Sequence, residues 1–421
     1  MYNRKQSIYI KRLEMKAQIA FTFDINALQR LRYIQLCLND KPPYKISFAN
    51  PAYPSVQTFH RNYSANGYPF PLIALLHATA VKKLGYPVNA PRLLKKSMLV
   101  TGALYLALNP RHRDLEMREI MGDFASGFSH DIGVGLTLLI TSEMFNICID
   151  EFNPVKVRGQ KALDYATLLP NNAGLLQVEA KGVTSDGSRS QARRDIVKKK
   201  QASGNTVQLQ SETTLTHSQV IKLGIIVQAA QRKRSSPTNS SKRTHSQGLI
   251  EIIDPEPNSQ ISQLSENYFK AGKYWHYAGV ALFSGLPQIA KEFALRAEAL
   301  IAGSHRRPQL LNYHFDKRMI WSYRDRTLVG IRWQPSDLPM GNDDVWFYQA
   351  ADQLTLEKIL SYDVFPETYS YHPDTQRAIQ DNIAESLLPD GSYFGIGMRN
   401  QGGLELLSPD TDSGPQQHLL W

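Results

Sequence analysis

Residues 163–182 read LDYATLLPNNAGLLQVEAKG, and three of them are of types that do chemistry together. Asp164 stands alone, Glu179 follows fifteen positions on, and Lys181 comes two after that. In an extended strand the side chains alternate between faces. Leu176, Val178 and Ala180 then point one way, and Gln177, Glu179 and Lys181 the other. Charges beside an apolar core are costly unless something compensates them. A divalent cation, or the contact of Glu179 with Lys181, supplies compensation. PNNAG between the two acids is a turn sequence, and a hairpin of that length returns Glu179 to the neighbourhood of Asp164.

Two carboxylates suit Mg²⁺, with Mn²⁺ a second choice, because such hard ions prefer oxygen and keep several waters beside a phosphate. An ion held there stabilises charge on a phosphodiester and acidifies bound water. A lysine next to it orients water and neutralises phosphate charge. The carbonyl of Ala180 is a further oxygen ligand in this reading. Glu-x-Lys by itself has little specificity: Glu14-Met15-Lys16 repeats it with no aspartate-bearing strand shortly before. The competing reading is a surface hairpin whose Glu and Lys form an exposed pair.

The flanking sequence predicts the elements that hold these residues. SHDIGVGLTLLITSEMFNICIDEF has helical spacing, with Ser129 or Asp131 as N-cap. PVKVRG, KALDYATLL and LLQVEAKG read as strands, SRSQARRDIVKKKQA as a basic helix, and VIKLGIIVQAA as a buried strand. QRKRSSPTNSSKRTHSQG is low-complexity, and LIEIIDPEP reads as one more strand.

Asp164 with Glu179-Ala180-Lys181, in that order of elements, resembles the PD-(D/E)XK nuclease superfamily of restriction-endonuclease-like enzymes. The resemblance covers residues 124–256 and implies a central mixed sheet flanked by helices, in the order αβββαβ. It makes Asp164 and Glu179 metal ligands and Lys181 the residue that aligns water. A glutamate from the preceding helix often joins in; Glu143, with Leu139, Ile140 and Ile147 on its face, is the best match, and Glu151 the second. Gln191, Arg193, Arg194 and Lys198 on the following helix become phosphate contacts. Leu163 departs from the family where the eponymous proline would stand. The implied activity is Mg²⁺-dependent endonucleolytic cleavage of DNA in bacterial restriction or phage defence, as a homo-oligomer or with a defence-complex partner. RNA as substrate, and a non-catalytic nucleic-acid-binding or assembly subunit, remain open alternatives.

The whole chain agrees with a polyanion partner. Its 421 residues hold 48 Lys+Arg against 38 Asp+Glu, and the surplus is concentrated. Residues 182–245 carry twelve Lys/Arg and three acids, directly after the Glu-Ala-Lys stretch. Two cysteines, Cys37 and Cys148, make no disulfide framework, so a reducing cytoplasmic setting is expected. No apolar run is long and uninterrupted enough to span a membrane, and the N-terminus lacks the apolar region of a secretory signal. The expected organisation is an α/β accessory region (1–123), the nuclease-like domain (124–256) and an α+β region (257–421). The stretch KPPYKISFANPAYPSVQTFHRNYSANGYPF reads as extended loop.

Overall fold

The computed structural model describes residues 28, 30–39, 53–84, 108, 115–117, 125–154, 163–169, 175–202, 214–217, 220–231, 248–253, 262–304, 320–323, 325–333, 345–366, 383–398 and 405–406. The predicted strand AQIAFTF, the basic loop 232–247, the PNNAG turn and most of PVKVRG lie outside them.

The described elements begin with β1 (Leu31–Leu38), α1 (Tyr53–Tyr63), β2 (Tyr68–Pro71), α2 (Leu72–Leu84) and β3 (Glu116–Met117). Then come α3 (Ala125–Phe145), a 3-10 turn (Ile149–Glu151), β4 (Asn153–Pro154), β5 (Tyr165–Leu168), β6 (Leu175–Val183) and α4 (Asp186–Ala202). β7 (Thr214–His217), β8 (Val220–Gln228), β9 (Ala230–Gln231), β10 (Leu249–Ile253) and β11 (Ser262–Ser265) follow. The remainder is α5 (Glu266–Phe283), α6 (Pro287–Ile301), β12 (Ile320–Tyr323), β13 (Arg326–Trp333), β14 (Val345–Asp352), α7 (Gln353–Tyr362), β15 (Ile383–Leu387), β16 (Ser392–Met398) and β17 (Glu405–Leu406).

Seven strands form a mixed sheet in the order β2-β1-β10-β8-β6-β5-β4. Its centre pairs β6 with β8 in parallel, and its flanks, β5 on β6 and β10 on β8, are antiparallel. The parallel centre explains why β6 and β8 read as near-continuous apolar runs: both faces are covered by helices. α3, β5, β6, α4 and β8 fall where a helix, the second and third strands, a helix and a further strand were expected, in an α/β arrangement with flanking helices; the first expected strand, PVKVRG, lies mostly outside the described residues. The boundary expected at 123/124 is crossed by this sheet, because β1 joins β10 in parallel and β2 closes that edge. The predicted loop before residue 70 also departs from expectation. Val56 and Phe59 bury one side of α1, and that apolar spacing outweighs a Pro- and Asn-rich composition.

Helices α3 and α4 lie on opposite faces of the sheet. On the even-numbered face of β6, a side chain at Gly182 would meet the Ser129 carbonyl 1.5 Å away, and one at Gly133 would meet Gly182 backbone. Two glycines thus let α3 and β6 touch backbone to backbone. On the odd-numbered face, Gly224 of β8 admits Ile196 of α4. Leu176 and Val178 join the main core with α3, whereas Val183, Ala192, Ile196, Ile226 and Ile253 form a smaller cluster under α4.

The second sheet, β15-β16-β14-β13-β12-β17, is antiparallel throughout. Helix α2 packs on α3, on α5 and on β15 and β16, so one core runs from the first sheet to the second. A buried polar junction sits in that contact. His276 Nε2 lies 2.6 Å from Asp390 Oδ2, Asp390 Oδ1 accepts from the backbone and hydroxyl of Ser392, and His77 Nδ1 lies 3.1 Å from Ser386 Oγ.

Two outcomes check this architecture. Gly182→Ala forces a methyl into backbone and is expected to cost about 2–3 kcal/mol, read from the unfolding midpoint. Gly187→Ala, with nothing within 4 Å, changes it by less than about 1 kcal/mol. Burial lowers the His77 pKa from 6.5 to about 3, so the unfolded chain binds more protons between those values. Stability from this group is full above pH 6.5 and is withdrawn as pH falls toward 3. About 2 kcal/mol is expected to be lost between pH 6.5 and 5, and His77→Gln flattens that slope in thermal unfolding.

Candidate active site

β5 and β6 run antiparallel with Tyr165 opposite Val178 and Ala166 opposite Gln177. One residue further out, the same register sets Asp164 opposite Glu179 on one face. Asp164 Oδ2 accepts the backbone N–H of Ala180 at 3.1 Å, which fixes the carboxylate against the strand. Because a residue's N–H and C=O point to the same side of a strand, the Ala180 carbonyl is directed to that side too. Sequence spacing therefore brought Asp164, Glu179, Ala180 and Lys181 together as expected.

Glu179 is the centre of the charges. Its Oε1 accepts hydrogen bonds from Lys181 Nζ at 2.7 Å and from Lys199 Nζ at 2.6 Å. Lys199, reaching down from α4, also lies 3.4 Å from Asp164 Oδ1. The Glu179 side chain has 0 % exposure, while Asp164, Lys181 and Lys199 keep 28, 25 and 25 %. The cluster is thus closed behind the glutamate and open to solvent in front. The other glutamate oxygen, Oε2, is buried with no hydrogen-bond partner. Burial raises the Glu179 carboxyl above its ordinary range, repulsion from Asp164 adds to this, and the bonds from Lys181 and Lys199 oppose it. Burial disfavours the Lys199 charge, but its bond to Glu179 and the two nearby carboxylates raise it overall.

These residues fit a small divalent cation in part. The two carboxylates both reach one cationic nitrogen, so their oxygens bound a single-ion position, and one buried oxygen lacks a partner. All the donors are hard oxygens, the set that Mg²⁺ and Mn²⁺ take. Among the described residues no group of three or more His, Cys, Asp or Glu gathers to hold an ion. The remaining ligands are then the Ala180 carbonyl, water and substrate oxygens.

Glu143 is not brought to this cluster. Its helix packs on the even face, opposite Glu179, and the α3 residue that meets Gly182 is Ser129. Glu143 stands fourteen residues further along, about 20 Å of helix, and accepts a hydrogen bond from the Tyr63 hydroxyl. Glu151 is taken up elsewhere as well, paired with Lys273 at 2.5 Å.

The basic helix divides its residues between two duties. Gln191, Arg194 and Lys198 are exposed on its outer side, where Gln191 bonds Asp195 and Arg194 bonds Gln191. Arg193 turns inward instead and grips buried Glu251 of β10 through Nε and Nη2, at 2.5 and 2.7 Å. Asn39 completes the grip from the end of β1, donating to Glu251 at 2.7 Å. Arg193 is therefore a fastener of α4 and not an outward phosphate contact. Lys199 was missed by the sequence reading, yet a signal existed: apolar Ile196 marks the inner side, and positions three apart share it.

Arg193→Ala removes both guanidinium bonds to the buried Glu251 carboxylate, leaving it Asn39 and the more distant Arg189, and is expected to cost about 3 kcal/mol in denaturant unfolding. Arg194→Ala and Lys198→Ala change stability by less than about 0.5 kcal/mol. No protein-family model, no curated protein and no solved structure matches this chain.

Proposed function

We propose that the chain is a metal-dependent phosphodiesterase acting on DNA, of the kind the PD-(D/E)XK resemblance implies. The observation that carries this reading is the convergence of Asp164 and Glu179 on one cation position, with Lys181 beside them. A Mg²⁺ or Mn²⁺ ion bound there supplies charge stabilisation at a phosphate and a more acidic water. Asp164 and Glu179 would hold the ion, and buried Oε2 leaves the glutamate an acceptor that no hydrogen bond satisfies. Lys181 keeps a quarter of its surface open, so its ammonium serves both Glu179 and an incoming phosphate or water. Outward Arg194 and Lys198 extend a positive face next to the cluster, suited to a nucleic-acid backbone.

One observation favours a second reading, a nucleic-acid-binding subunit without catalysis. Two lysines already neutralise Glu179, so the charges balance without a metal. A cleavage screen over duplex DNA, single strands and RNA, with Mg²⁺ or EDTA, separates the two. The nuclease reading expects EDTA-sensitive cleavage of DNA, reduced at least about 100-fold in Asp164→Asn and in Lys181→Ala. Equal rates in parent and variants overturn it. Salt-sensitive binding with no cleavage in any metal selects the second reading.

A further inference from the structure

We infer that Lys199 is a built-in competitor for the metal position, an internal cation that must leave before a divalent ion enters. The inference rests on the two-carboxylate site proposed above and concerns a residue on a different element. Lys199 Nζ sits 2.6 Å from Glu179 Oε1 and 3.4 Å from Asp164 Oδ1, so one ammonium bridges both acids. Of the two acids Lys181 pairs with Glu179, at 2.7 Å, and leaves Asp164 to its neighbour. A divalent ion held by the same two carboxylates would lie against that ammonium, and two cations that close repel strongly.

The means of exchange are unequal, and that gives the competition a direction. Glu179 has no solvent exposure and is held by the strand, so it cannot withdraw. Asp164 is pinned through the Ala180 N–H. Lys199 is 25 % exposed, lies in the last turn of α4, and carries a flexible four-carbon stem. Inner neighbours Ile196 and Arg193 hold the helix down through Gly224 and Glu251 whether or not Lys199 stays in place. Its ammonium can therefore swing to solvent without loosening α4. There it joins Lys198 and Arg194 on the positive outer side, where a polyanion favours it. Phosphate binding and metal entry then assist each other, because the polyanion draws away the cation that blocks the ion.

The test is Mn²⁺ titration of the full chain by calorimetry, without nucleic acid, in the parent, Lys199→Met and Lys199→Arg, with Glu179→Gln as site control. An ammonium seated about 90 % of the time lowers apparent affinity about tenfold. Lys199→Met is expected to bind Mn²⁺ about tenfold more tightly than the parent, Lys199→Arg about as the parent does, and Glu179→Gln not at all. Parent and Lys199→Met binding equally, or the variant binding more weakly, overturns the competition while leaving the two-carboxylate site standing. No binding in the parent or in Lys199→Met overturns the metal site and this inference together. Far-UV circular dichroism of each variant, matched to the parent, establishes that the comparison is between folded chains.

Discussion

Glu179 has no access to solvent, and an ionised carboxylate in that position requires cations within hydrogen-bond reach. Two lysines meet the requirement from different directions, Lys181 from the same strand and Lys199 from the helix laid across it. The requirement explains why α4 can be rich in basic residues and still pack on a sheet. Its inner side carries Arg189, Arg193 and Lys199 around Ala192 and Ile196, and the sheet below answers with Glu251, Glu179 and Asp164. The charges are matched across the layer, and the small apolar cluster fills the space between them.

The first sheet therefore acts as a partition between two kinds of interior. Its even face meets α3 at van der Waals distance, with Gly133 and Gly182 removing the side chains that would keep the backbones apart. Its odd face carries Gln177, Glu179 and Lys181 on β6, with Lys222 beside Gln177 in the parallel register. A strand can serve both because its side chains alternate, and a slip of one residue would exchange packing for chemistry along its whole length. The main core continues from the even face through α2 and α5 to the second sheet, and the buried histidine–aspartate junction lies on other elements than Asp164 and Glu179.

Much of this was legible because it depends on short-range periodicity. The alternation in LLQVEAKG assigned the faces of β6, and the apolar runs located α3 and β8. The reading failed where a distant partner decides. Nothing local tells that β1 pairs with β10 across more than two hundred residues, and so the boundary expected at 123/124 fell inside a continuous sheet. Glu143 has a suitable helix face, but the face of the sheet on which α3 packs was decided by two glycine contacts. Arg193 and Arg194 are adjacent in sequence and alike in chemistry; only the buried Glu251 separates an internal fastener from a surface charge.

By itself the sequence determined that Asp164, Glu179 and Lys181 share one side of a hairpin, since strand pleat and a short turn leave few other arrangements. Tertiary structure alone decided what stands over them. Lys199 stands eighteen residues downstream of Lys181, and its reach depends on the height and rotation of α4 over the sheet. Those are set by Ile196 against Gly224 and by Arg193 against Glu251, contacts between strands and a helix that no local pattern encodes. A carboxylate buried by one part of the chain takes its counter-charge from another because Coulomb attraction follows distance in space and not position in sequence.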